Sequence, residues 1–112
     1  MAHDKDEAET WDAFRTLVNM PPAELERWLA TSTSKDAGEH KGGHESTGHA
    51  SGRRIVEILR TSKSDLTDAD YQHMTKVNGY IRRHQAQRPS GDVRETTWRH
   101  SLMNWGHDPL AD

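Results

Sequence analysis

Apolar residues in this chain recur at the spacing of an α-helix, and this periodicity is the feature that most limits its fold. Trp11, Phe14 and Val18 lie three or four positions apart, which places them on one face of a helix. Similar stripes occur in residues 25–29, 55–59, 71–81 and 98–105. No segment alternates apolar and polar residues for long enough to indicate a strand. The pattern predicts an all-α fold, a compact bundle of about five short helices.

Prolines and capping residues predict where these helices begin and end. Pro21 and Pro22 end a first helix over residues 4–19, and Pro22 opens a second helix directly, so the two are expected to form a helical hairpin. The three later helices are predicted over residues 51–62, 67–87 and 92–106, with Ser51, Thr67 and Asp92 at their starts.

The segment between the second and third predicted helices lacks a helical pattern. Residues 31–52 contain five glycines and no Leu, Ile, Val or aromatic residue. This composition is typical of a loop, and 22 residues is long for a loop inside a compact domain. We expect a mobile Gly/Ser/His-rich loop here, and flexible ends to the chain.

Composition limits the size of the core and the chemistry. The chain is sized for a single domain over residues 1–112, yet Leu, Ile, Val and Phe together number only 15, so four tryptophans must supply part of the core. The absence of cysteine excludes disulfides, thiolate nucleophiles and Cys-based metal sites. No apolar run reaches the ~18 residues of a membrane span, and no signal-peptide pattern opens the chain, so we expect a cytoplasmic protein.

Four stretches of the sequence are similar to segments of a known protein family: residues 11–29 and the runs SGRRIVEILR (51–60), DLTDADYQHM (65–74) and WRHSLMNWGHDPL (98–110). These stretches resemble a small, mainly bacterial family known only as a domain of unknown function, some of whose members carry the label DNA-binding protein. The resemblance spans nearly the whole chain and brings no catalytic residues with it. The family has threonine where this chain has Pro21, which implies a second helix without a side-chain cap.

Two clusters of basic residues are candidates for phosphate contact: Ser51, Gly52, Arg53 and Arg54 in the first, and Arg82, Arg83, Arg88 and Arg99 in the second. At a helix start, exposed backbone amides, the helix dipole and two guanidinium groups can converge on one phosphate. The alternative is that these arginines lie on solvated faces, pair with acids such as Glu57, or complement a helix C-terminus.

The clusters favour a non-enzymatic protein that contacts the phosphates of DNA or another polyanion, with low sequence specificity. Against this reading, the sequence pI of about 6.2 is below the value above ~9 that is typical of dedicated nucleic-acid-binding domains. The alternative function is a small structural or interaction module, such as a homodimer, because a chain with a small core gains apolar burial from a second copy.

Histidines in the predicted loop raise the question of a metal. His40, His44 and His49 have a spacing that allows a divalent ion to bind, but histidines in polar loops are more often solvated, so we expect no metal and no cofactor. His49 comes one position too late for the H-E-x-x-H motif, and a Gly-x-Ser-x-Gly motif is absent. The sequence therefore predicts no catalytic site.

Overall fold

The helical periodicity is confirmed by a computed structural model, which describes residues 4–37 and 47–111. This part of the chain is all-α. It contains six α-helices, α1 (Asp4–Leu17), α2 (Pro22–Leu29), α3 (Ser32–Ala37), α4 (Thr47–Leu59), α5 (Asp68–Gln85) and α6 (Thr97–Asn104), and a 3-10 turn at Lys63–Asp65. Helix α1 packs against α5, α2 against α4, and α3 against α6, while α6 also contacts α2, α4 and α5. Helix α6 therefore contacts four of the other five helices in the described part of the chain.

The apolar stripes meet in one core. Each of the five apolar stripes contributes at least one fully buried side chain: Phe14, Leu25, Ile55, Met74 and Leu102. Burial of a side chain of this size contributes about 1.5–3 kcal/mol. Trp105 is buried, and the other three tryptophans pack partly buried against the same cluster. The prediction that tryptophan supplements a core short of aliphatic residues is confirmed.

Two predictions about helix starts are confirmed. The Thr67 hydroxyl accepts a hydrogen bond from the Asp70 amide, and the Asp70 carboxylate accepts one from the Thr67 amide, which together form a capping box. Pro21 precedes α2 and provides no side-chain cap. Both helix starts could be predicted from the sequence because capping depends on residues that are close along the chain.

The predicted start of the last helix is wrong. Thr96, not Asp92, caps α6, and its hydroxyl accepts a hydrogen bond from the Arg99 amide. The carboxylate of Asp92 instead accepts from both the backbone and the side chain of Arg94. Because Arg94 occupies this carboxylate, the chain forms a turn before α6 begins.

The predicted loop over residues 31–52 is wrong at both ends. Helix α3 lies within it, and α4 begins at Thr47 instead of Ser51. Residues 38–46 lie outside the described residues. Ser34 of α3 and His49 of α4 are buried, and His49 Nε2 lies 2.6 Å from the Leu29 carbonyl oxygen. Tertiary burial and hydrogen bonding thus stabilise helical turns that glycine and serine disfavour locally.

The predicted hairpin of the first two helices is also wrong. Helices α1 and α2 pack on different partners, α5 and α4 respectively. The break at Met20 explains the divergence, because its amide donates a hydrogen bond to the carbonyl of Gly106, far along the chain. The connection between the two helices is therefore tied to the end of α6.

A buried polar network joins α2, α3 and α6. Asn104 is 1% exposed, and its side-chain oxygen accepts hydrogen bonds from Trp28 Nε1 at 2.8 Å and from Ser34 Oγ at 2.5 Å. Its side-chain nitrogen donates to the carbonyl oxygen of Ser34 at 3.0 Å. Buried polar groups satisfied in this way specify one arrangement of their elements, so Asn104 fixes the six-residue helix α3 in place.

Helix α6 ends in a Schellman motif that turns the chain back toward α1. Gly106 has a φ of 84°, the His107 amide donates to the Leu102 carbonyl at 3.0 Å, and the Gly106 amide donates to Met103 at 2.9 Å. Glycine suits this left-handed position because it lacks a Cβ. The motif directs residues 107–111 across the ends of α1 and α5. In the described residues, no helix has the length and apolar character needed to span a membrane.

Candidate functional site

The first predicted cluster does not form a helix N-terminus. Ser51 and Gly52 lie in the second turn of α4 and are buried. The Ser51 hydroxyl lies 2.9 Å from His73 Nε2, and a Cβ at Gly52 would lie 2.4 Å from the carbonyl oxygen of Asn104. Amides in the second turn of a helix bond within it, so the predicted phosphate cradle at these two residues is corrected to a site of close helix packing.

Two of the predicted arginines form ion pairs. Arg54 donates to Asp70 Oδ1 at 3.0 Å, and Arg99 binds both oxygens of Asp108, from Nε at 3.1 Å and from Nη2 at 3.0 Å. Such two-point contact uses the same face of the guanidinium that a phosphate would need. Arg53 is exposed beside a groove of about 700 Å³ between α2 and α4.

Both paired carboxylates are held ionised. The hydrogen bond from the backbone amide of Thr67 is the main cause that lowers the pKa of Asp70; burial opposes it, and the Arg54 guanidinium adds to the lowering. Burial works against ionisation of Asp108, but hydrogen bonds from Arg99 and from the Leu110 amide lower its pKa overall. These ion pairs are therefore structural contacts, which leaves Arg54 and Arg99 poorly placed for a ligand.

The two predicted clusters lie at opposite ends of α5. Arg54 meets the first turn of α5 at Asp70, whereas Arg82 and Arg83 are in its last turn. A rise of 1.5 Å per residue separates Asp70 from Arg82 by about 18 Å along the helix axis. The structure therefore does not bring all the predicted arginines together.

Among the described residues, exposed cations without an ion pair are concentrated in residues 71–91, which span most of α5 and the segment after it. Residues 71–91 contain four Lys or Arg residues and no Asp or Glu. These four, Lys76, Arg82, Arg83 and Arg88, are exposed, and none forms an ion pair within the described parts of the chain. We call them the α5 basic surface. Lys76 was not among the predicted site residues, although the absence of acids from this segment was a signal that pointed to it.

Helix-dipole complementarity explains only part of this surface. Cations in the last turn of a helix are stabilising, which accounts for Arg82 and Arg83 without a ligand. Lys76 lies in the middle of α5 and Arg88 lies beyond its end, where that explanation weakens. Arg88 instead lies over the ring of Trp98, with 5.4 Å between its Cζ and the ring centroid.

A polar cavity of about 340 Å³ adjoins the end of the α5 basic surface. It lies between the end of α5, the segment after α1, the first turn of α6 and the segment after α6. Its lining includes Asn19, Gln85, Arg88, Trp98, His107 and Asp108. Arg88 lines this cavity and is also one of the four cations of the α5 basic surface.

The pKa values of two partly buried histidines, His73 and His84, are lowered by their surroundings. Burial is the main cause that lowers the pKa of His73, and nearby Arg54 and Lys76 add to it. Burial also lowers the pKa of His84, which stacks between Tyr80 and Trp98 at ring-centroid distances of 5.2 and 6.2 Å. Both side chains are therefore neutral in the folded protein at neutral pH.

We expect the free energy of unfolding to fall as the pH is lowered. Because the folded-state pKa values of His73 and His84 are below their unfolded value near 6.5, their contribution is present above pH 6.5 and is lost as the pH falls below it. Asp70 and Asp108 add a second loss below pH 3.8. Urea unfolding at pH 7.5, 5.5 and 3.5 measures both steps, and His73→Gln should reduce the first. A stability that rises on acidification would contradict this expectation.

The predicted metal ligands are not brought together in the described structure. His40 and His44 lie outside the described residues, and His49 is buried with its Nε2 at the Leu29 carbonyl. Among the residues that the structure describes, no group of three or more His, Asp or Glu side chains is placed to hold a metal ion.

Comparison with known proteins gives one match. A family model described as "Protein of unknown function (DUF3140)" matches residues 13–103. No curated protein and no solved structure matches the chain.

Proposed function

The chain belongs to the family described as protein of unknown function (DUF3140). We propose that it is a non-enzymatic, cytoplasmic protein that binds nucleic acid. In this proposal the α5 basic surface contacts backbone phosphates. The observation that carries it is the contrast between two sets of cations. Arg54, Arg60, Arg94 and Arg99 are each paired with a carboxylate, whereas the α5 basic surface has no such partner in the described part of the chain.

Unpaired arginine is suited to phosphate. Its planar guanidinium donates parallel hydrogen bonds to two phosphate oxygens and is weakly hydrated, so little desolvation energy opposes the contact. Phosphate contact releases condensed counterions from the nucleic acid, and this release supplies most of the affinity of non-specific binding. Since phosphates do not encode sequence, the proposed binding has low sequence specificity.

The overall charge of −3 comes from acids outside residues 71–91, although some of them lie on α1, which packs against α5. Residues 1–50 contain 10 acidic and 5 basic side chains, and residues 71–91 contain no acidic one. Interactions between exposed charges fade beyond a Debye length of ~8 Å at physiological salt. The local surface, and not the net charge, therefore governs contact with a strand.

Salt dependence of binding tests the proposal. If the four cations each neutralise one phosphate, affinity for an oligonucleotide should fall about 50- to 150-fold between ~50 and ~200 mM salt. Arg82→Ala with Arg83→Ala should reduce the slope of log affinity against log salt by about 1.4–1.8. Fluorescence anisotropy of labelled single- and double-stranded DNA with untagged protein measures both.

Arg27→Ala with Arg60→Ala is the matched control, because it removes the same charge from exposed positions on α2 and α4. The proposal predicts that this control keeps the slope of the unaltered protein. Equal losses in the two double variants would show a general charge effect and refute a role for the α5 basic surface. The absence of binding at tens of micromolar protein and low salt would refute nucleic-acid binding itself.

Self-association has less support from the surface. In the described residues, Leu110 at 38% is the large apolar side chain that is exposed. Interfaces between permanent partners are larger and more apolar than one such residue provides. Sedimentation over a range of protein concentrations tests the homodimer alternative directly.

A further inference from the structure

We propose that the cavity at the end of α5 takes one unstacked base of a single-stranded nucleic acid, while the phosphates of the strand follow the α5 basic surface. This inference deepens the proposed function and rests on it. It names the form of nucleic acid that the protein prefers and the place where a base is held.

The cavity is preorganised by hydrogen bonds between its own walls. The Asn19 side chain donates to the Asp108 carbonyl at 2.9 Å and accepts from the Asp108 amide at 2.8 Å, which joins the segment after α6 to the end of α1. Arg99 holds the Asp108 carboxylate at two points, at 3.1 and 3.0 Å. The walls therefore need no reordering when a ligand enters, which reduces the entropic cost of binding.

A second set of contacts orients Gln85. His107 is 8% exposed, and its Nδ1 lies 2.6 Å from the Leu17 carbonyl oxygen, so Nδ1 carries the hydrogen. His107 Nε2 then accepts from the Gln85 side-chain nitrogen at 3.1 Å. This arrangement leaves the side-chain oxygen of Gln85 as an acceptor without a partner in the described structure.

Two groups thus remain for a ligand, the Gln85 oxygen and the Arg88 guanidinium. Arg88 is exposed, makes no ion pair in the described residues, and lies over Trp98. A nucleobase matches this pair of groups, because its flat face stacks on aromatic rings and guanidinium planes. Its amino and ring N–H groups donate to an acceptor such as the Gln85 oxygen.

The size of the cavity and its polarity favour a base over a larger ligand. Its volume of about 340 Å³ is at the lower end of the 300–1,000 Å³ typical of ligand sites. A base inside a duplex is stacked and paired and must first be extruded at an energetic cost, whereas a base in a single strand enters without it. The cavity therefore predicts a preference for single strands.

The test compares three 12-nucleotide DNAs of equal charge per strand: a mixed-sequence single strand, the same backbone without bases, and the duplex. Removal of one stacked base costs about 5- to 150-fold in affinity. We expect the abasic strand to bind at least about 5-fold more weakly than the normal strand, and the duplex to bind more weakly than the single strand.

Gln85→Ala with Arg88→Lys removes the acceptor and the planar group and keeps the charge. This variant should lose the difference between normal and abasic strands and retain the salt dependence. Gln87→Ala with Arg27→Lys is the matched control, because it changes the same residue types at exposed positions outside both the cavity and the α5 basic surface. The control should keep the difference between the strands.

The outcomes separate this inference from the proposed function. Equal affinity for normal and abasic strands, or tighter binding of the duplex, overturns the base site. If Arg82→Ala with Arg83→Ala still reduces the salt dependence in that case, phosphate binding by the α5 basic surface stands. If none of the three DNAs binds, both are overturned.

Discussion

Gly52→Ala should lower the free energy of unfolding by about 1–3 kcal/mol, in spite of the better helix propensity of alanine. An added Cβ would lie 2.4 Å from the backbone oxygen of Asn104 and 2.7 Å from a methyl carbon of Leu29. A backbone carbonyl cannot rotate away like the end of a long side chain, so α4 and α6 must separate. Urea unfolding followed by circular dichroism measures the loss.

Gly79→Ala is the matched comparison, because it makes the same change inside a helix where there is room. Its added Cβ would meet only the guanidinium of Arg83, with Nη1 at 3.1 Å, and that group is the far end of a flexible side chain. The gain in helix propensity should therefore raise the free energy of unfolding by up to about 1 kcal/mol. If Gly52→Ala is as stable as Gly79→Ala, close approach of α4 and α6 is not the reason for glycine at position 52.

The pair of variants also separates two explanations of Gly52. The sequence predicted Gly52 at a helix start whose exposed backbone amides contact a phosphate, whereas the structure places it at the crossing of α4 with α6. The packing explanation predicts a loss of stability in the absence of any ligand. The phosphate explanation predicts a loss of binding in a protein of unchanged stability.

Asn104→Leu should lower the free energy of unfolding by about 3–5 kcal/mol, the largest effect expected here. Leucine has the same number and branching of side-chain heavy atoms but leaves the Trp28 indole N–H, the Ser34 hydroxyl and the Ser34 carbonyl without their partner, and each unsatisfied buried group costs about 1–3 kcal/mol. Thermal unfolding measures the total. Amide hydrogen exchange in α3 reports whether this helix is lost first.

A double-mutant cycle isolates the contact between Asn104 and Ser34. Residues in one buried hydrogen-bond network have coupling energies of about 0.5–3 kcal/mol. We expect Ser34→Ala to cost less in the Asn104→Leu background than in the unaltered protein, since its partner is already absent. Strict additivity of the two changes would show that the hydrogen bond from the Ser34 hydroxyl to Asn104 does not contribute to stability.

Prediction from sequence succeeded where the controlling residues are neighbours along the chain. The stripe of Phe14 and Val18, the helix start at Thr67 and the helix end at Gly106 each depend on positions within about one or two helical turns. Prediction failed for α3, because the residue that stabilises it is Asn104, 70 positions from Ser34. The polar sequence of α3 does not indicate that the side chain of a distant residue will form hydrogen bonds with it.

Contacts between residues that are distant in sequence also decide which arginines form ion pairs and which remain unpaired. Sequence identified two basic clusters, but Arg54 and Arg99 are occupied by Asp70 and Asp108, which lie 16 and 9 positions away. The absence of acids from residues 71–91 points to the α5 basic surface, but only these pairs show that Arg54 and Arg99 do not belong to it. No periodicity encodes which carboxylate a guanidinium will reach.

By itself, therefore, the sequence determined that this protein is helical and that tryptophan must supplement a small core. It also determined several of the positions at which prolines and capping residues begin or end a helix. These properties follow from local backbone preferences and from the spacing of apolar residues. Tertiary structure alone decided that Gly52 lies at a helix crossing, that Asn104 holds α3, and which cations stay unpaired. These properties arise from contacts between residues that only the folded chain brings together.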